Sequence, residues 1–69
     1  MNRSEVIRRL VILKTILGNT SIQIDFEGIQ VIVDREDIEG LMELIEDGMS
    51  KDAVQKIMRI SNVVWEGIK

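Results

Sequence analysis

The side chains able to do chemistry in this chain are few in kind. Its 69 residues include no histidine, no cysteine and no tyrosine. That leaves Asp, Glu, Lys, Ser and Thr as the acid–base and nucleophile types. The densest group is Asp34, Glu36, Asp37 and Glu39, carboxylates of the kind that surround Mg²⁺ or Ca²⁺. Their spacing is not that of a calcium loop, and acids in the first turn of a helix are accounted for by the helix dipole. Ser4 and Ser50 stand where helices need N-caps, Ser61 falls within a helical stretch, and no lysine is spaced to activate any of them. The five glycines are scattered and form no phosphate-binding loop. The expectation is a protein with no catalytic residues, no metal site and no cofactor, hence not an enzyme.

The elements that position these groups follow from periodicity. Val6, Leu10, Leu13 and Leu17 recur at the helical period and are flanked by Ile7 and Val11, which predicts a helix over 1–19 that ends at Gly18-Asn19. Ile12 and Ile16 form a second apolar stripe on its other side, and a helix apolar on two sides has two partners. Ile22, Ile24 and Phe26 alternate with polar residues, as do Ile29, Val31 and Val33 in part. With Glu27-Gly28 between them they predict a β-hairpin over 20–33. A two-residue turn pairs Phe26 with Ile29, Ile24 with Val31 and Ile22 with Val33, all on one face. A bulged three-residue loop is the alternative, because Glu is not the favoured first residue of a type I′ turn.

Residues 34–69 predict a helical pair. Asp34 with Asp37 offers a capping box, and Ile38, Leu41, Met42 and Ile45 share one face opposite Glu39, Glu43, Glu46 and Asp47. Gly48 separates this helix from the next. Val54, Ile57, Met58, Ser61, Trp65 and Ile68 line the last helix, widened by Ala53, Ile60 and Val64. The fold class is therefore α+β in the order αββαα, a single domain over 1–69.

A domain of this length buries only roughly 60% of the surface its unfolded chain exposes. Disulfides and thiolate metal sites are excluded by composition, so oligomerisation is the expected source of added stability. A two-stranded sheet with open edges points the same way. Self-association is expected at Ile12, Ile16 and Trp65. The charge is sharply partitioned. Arg3, Arg8, Arg9 and Lys14 against Glu5 make residues 1–19 net +3, nine acids against Arg35 make 20–48 net −8, and 49–69 are net +2. The acids Glu39, Glu43, Glu46 and Asp47 are the expected contact for a basic partner. The apolar stretch from Val6 to Leu17 is broken by Arg8, Arg9 and Lys14. It is expected to be neither a signal-peptide core nor a membrane span, and the expected location is the cytoplasm.

The C-terminal half resembles two families that share a helix–Gly-x-Ser–helix frame. In the helix-turn-helix of small transcription regulators, residues 48–58 would hold the end of one helix and the whole of the second. Arg59-Ile60-Ser61 would then be the turn and 62–69 the recognition helix. That resemblance implies DNA contacts from Arg59, Asn62 and Lys69, although Gln55 and Arg59 stand where the family commonly carries Ala and Gly. Glu36-Asp37-Ile38-Glu39, Leu41, Gly48-Met49-Ser50-Lys51-Asp52, Val54 and Ile57-Met58 are similar to the Sin-type anti-repressor hairpin. That family implies pairing with a transcription regulator; Asp37 stands at its usual tryptophan. A ribbon-helix-helix fits less well, since its groove-facing residues would be Gln30, Ile32 and Asp34.

The leading expectation is a small oligomeric module that binds and regulates a protein partner, such as an anti-repressor, a mobile-element inhibitor or an antitoxin-like factor. The second is a helix-turn-helix DNA-binding regulator, which the net charge of −3 and the acidic centre disfavour. The third is a protein that sequesters a small ligand.

Overall fold

A computed structural model describes residues 2–68. The order is α1 (Arg3–Leu17), β1 (Ile22–Phe26), β2 (Ile29–Val33), α2 (Arg35–Glu46) and α3 (Lys51–Ile68), the αββαα arrangement of an α+β protein. Among the described residues no helix is long and apolar enough to cross a membrane.

The N-cap of α1 is Asn2, not Ser4. The Asn2 side chain accepts from the Glu5 backbone N–H at 2.9 Å, which places Ser4 inside the first turn. Asn is as good a cap as Ser, and capping one residue earlier sets Glu5 against the exposed N–H groups of that turn. At the other end Gly18 has φ 55° and donates to the Lys14 carbonyl, a left-handed exit that a Cβ would oppose.

The hairpin has the two-residue connection. Glu27 and Gly28 both have positive φ, 54° and 83°, as a type I′ turn requires. Asp25 Oδ1 accepts from the Gly28 N–H at 3.0 Å and so supports the turn from the preceding strand. The register sets Ile22 opposite Val33, Ile24 opposite Val31 and Phe26 opposite Ile29. The apolar pattern and the turn chemistry demand the same pairing.

Helix α2 opens on a complete capping box. Asp34 Oδ1 accepts from the Asp37 N–H, and Asp37 Oδ2 from the Asp34 N–H, each at 3.0 Å. Ser50 caps α3 through the Ala53 N–H at 3.2 Å. Helix α3 then runs unbroken to Ile68, so the turn implied at Arg59-Ile60-Ser61 is absent. That stretch contains no Gly or Pro, and Ile57, Met58, Ser61 and Val64 continue one buried stripe through it. The Ser61 hydroxyl, fully buried, donates to the Met58 carbonyl at 2.7 Å. Its polar need is therefore met inside the helix.

The core is aliphatic and centred on α1, whose Val6, Leu10 and Leu13 have no exposed surface, with Leu17 almost as buried. Ile38 and Ile45 reach it from α2; Val54, Ile57, Met58 and Val64 from α3; Ile24 and Val33 from the hairpin. Helices α2 and α3 both pack on α1, while α3 also lies over β1. Close to the end of α3, a Cβ on Gly67 would stand 2.7 Å from the Ile22 side chain. Helix α3 lies close on β1 there, and an added methyl group would have to displace the Ile22 terminus, the far end of a flexible side chain.

Candidate interaction surfaces

Three features of the surface follow from this packing. The first is the outer side of α1. With Val6, Leu10, Leu13 and Leu17 committed to the core, Ile12 and Ile16 are left 47% and 48% exposed, beside Val11. Trp65 is half-buried and packs against the core of its own chain. Its ring edge, with Ile12 and Arg9, lines a recess of about 160 Å³. Sequence reasoning grouped Ile12, Ile16 and Trp65. The structure brings Ile12 and Trp65 to the same recess, with Ile16 one turn further along α1.

The second feature is the outer face of α2. Glu39 lies 3.6 Å from Arg35 and 3.9 Å from Lys14, so part of its charge is answered within the chain. Glu43, Glu46 and Asp47 are exposed and enter no salt bridge among the described residues. Among the described residues, one salt bridge joins the basic first helix to the acidic centre, Lys14 with Glu39. The net negative field of α2 is left facing solvent.

The third feature was not singled out from sequence. Helices α2 and α3 both lean on α1, and only α3 covers the hairpin closely, on its β1 side. Over β2 the two helices leave a groove of about 560 Å³, floored by Val31 and Val33 and walled by Leu41, Leu44 and Ile60. Ile32 lies at its edge, with Glu36 and Asp37 at its mouth. Ile29 and Ile32 are 64% and 67% exposed. One sign was present in the sequence: Ile29-Gln30-Val31-Ile32-Val33 contains no charged residue, although the strand lies at a sheet edge.

The residues of the DNA-binding alternative are differently disposed. The Asn62 side-chain oxygen accepts from the Arg9 guanidinium, and Arg59 lies 4.0 Å from Glu27. Lys69 is outside the described residues. Among the described residues no three carboxylates gather in a way that could hold a metal ion; Asp34 and Asp37 are engaged with each other's backbone N–H groups. No family model, curated protein or solved structure matches this chain.

Proposed function

We propose that the chain is a non-enzymatic interaction module that self-associates and regulates a protein partner. The observation that carries this reading is the amount of large aliphatic surface left uncovered. Val11, Ile12 and Ile16 lie on α1, Ile29, Val31 and Ile32 on β2, and Leu44 beside the groove. Scattered apolar side chains are ordinary on any surface, whereas contiguous ones mark contacts. There are two such faces on one small chain. One of them joins copies and the other meets the partner.

Glu43, Glu46 and Asp47 support a partner with a basic surface, because complementary charge speeds encounter and rejects wrong partners. A transcription regulator carrying such a surface suits an anti-repressor, inhibitor or antitoxin-like role. The location in this reading is the cytoplasm, which a cysteine-free chain suits. The DNA-binding alternative draws less support, with Asn62 and Arg59 both facing groups of their own chain.

Two measurements test the reading. Affinity capture from the cells that make the protein, with wild type and with Glu43→Lys plus Glu46→Lys, should retain a basic protein on the first and lose it on the second. Sedimentation with a random DNA duplex at low salt should show no association. Migration with the duplex that reverses as salt rises would identify a nucleic-acid binder and overturn the proposal.

A further inference from the structure

We infer that two copies of this chain join β2 to β2, antiparallel, about a two-fold axis at Val31, to give one four-stranded sheet. This rests on the self-association part of the proposed function and on nothing about its regulated partner.

The geometry of the open edge comes first. In a hairpin closed by two residues, the pair flanking the turn exchanges backbone hydrogen bonds, and bonded and non-bonded pairs then alternate. Phe26 with Ile29 is that flanking pair. Ile29, Val31 and Val33 therefore direct their N–H and C=O groups to β1, while those of Gln30 and Ile32 point out of the sheet. Natural edge strands are usually guarded by lysine, proline or a bulge. Between Ile29 and Val33 this strand has none of these.

The strand is also complementary to itself. Centring the pairing on Val31 sets Ile29 opposite Val33 of the second copy and Gln30 opposite its Ile32. The residues with outward-pointing backbone groups then face each other, and both apolar faces fall on the same side. Extended past the strand ends, the same register brings Glu27 of each copy to the place where Arg35 of the other begins α2. Sliding by two residues in either direction keeps the backbone groups facing but separates Glu27 from Arg35 and sets an apolar residue against a charge. It would set Ile29 opposite Arg35 in one sense, or Val33 opposite Glu27 in the other.

The groove supplies the third argument. It exists because a two-stranded floor is too narrow for α2 and α3 to cover together. A second β2 widens the floor and offers its own Ile29 and Val31 to the open side, where Leu44 is half exposed. No atom lies within 4 Å of where a Cβ on Gly40 would be, so the wall of α2 has room for an approaching neighbour.

The test uses the absence of cysteine from the chain. Val31 would face its own copy as a non-hydrogen-bonded pair, with Cα atoms about 4.5 Å apart, within the reach of a disulfide. Val31→Cys should oxidise to a covalent dimer, at least roughly tenfold faster than the more exposed Ile29→Cys, which would face Val33. Ile32→Pro removes an outward-pointing N–H without touching the bonds to β1, and should convert the dimer to monomer in sedimentation with unchanged circular dichroism. Glu27→Arg should weaken the dimer by roughly tenfold, and adding Arg35→Glu should restore it.

A wild-type chain that is monomeric at high concentration overturns this inference and the self-association reading together. A dimer that survives Ile32→Pro and crosslinks through Ile12→Cys, not through Val31→Cys, leaves self-association intact and overturns the strand pairing. A monomer whose β2 edge is filled by an extended segment of another protein also overturns it.

Discussion

The Arg9 guanidinium donates to the side-chain oxygen of Asn62, joining the first helix to the last across 53 positions of sequence. Asn62 is the residue that a helix-turn-helix would present first to a base edge, and here it holds two helices together. Asn62→Ala should cost about 0.5 to 1 kcal/mol in chemical denaturation, the low end of the range for an intramolecular hydrogen bond because this one is exposed to water. The same variant should leave behaviour toward duplex DNA unchanged. A loss of DNA binding on this substitution would place α3 in a groove after all.

Leu10 and Leu13 occupy the centre of the core with no exposed surface. Leu13→Ala should lower unfolding free energy by about 3 kcal/mol, since truncation loses transfer energy and leaves a cavity. In a chain of this size that is a large share of the total. Thermal and urea unfolding will read the loss directly.

Capping separates Ser4 from Asn2, two residues that look alike as caps in sequence. Ser4→Ala should change stability by less than about 0.5 kcal/mol, because the cap of α1 is Asn2. Asn2→Ala should cost about 1 kcal/mol, and Asp34→Ala at least as much, since it removes half of a reciprocal capping box. Equal losses at Ser4 and Asn2 would contradict the assigned start of α1.

Glu27 has φ 54° at a position where Asn is strongly preferred. Glu27→Asn should raise stability by about 0.5 to 1 kcal/mol, measured at concentrations where the chain is monomeric. The exposed contact with Arg59 at 4.0 Å is too solvated to offset that gain.

If β2 joins the copies, the outer side of α1 is left for the partner. Ile12→Asp plus Ile16→Asp should then leave the sedimentation mass unchanged and reduce partner capture. A fall to monomer mass would return self-association to α1, where the sequence pattern first suggested it.

The element order and the hairpin register were legible because period and punctuation agree there. Alternation runs through Ile22–Phe26, Gly28 marks the turn, and Asp34 with Asp37 announces α2. The exposed stripe of Ile12 and Ile16 was equally plain, since a helix cannot hide both of its sides in one small core. The continuity of α3 past Arg59 was legible as well, in the apolar stripe from Val54 to Ile68. Two things were not legible. Asn2 and Ser4 are equivalent caps by propensity, and the bond from the Glu5 N–H to the Asn2 side chain is visible only in the fold. The groove over β2 arises from how α2 and α3 are placed on α1, a relation among three elements distant in sequence.

The position of α1 at the centre of the packing has a consequence for how the chain acquires its shape during synthesis. This helix is made before α2 and α3, yet most of the surface it must lie against belongs to them. Arg3 and Arg9 find Met49 and Asn62 across 46 and 53 positions. Such distant contacts cannot form one element at a time behind a moving exit tunnel. Until α3 is complete, the nascent segment carries an unsatisfied leucine-rich helix, the kind of sequence that chaperones hold. Folding is then a single late event. Damage late in α3, at the fully buried Val64, should undo the packing of α1 as surely as damage to α1 itself.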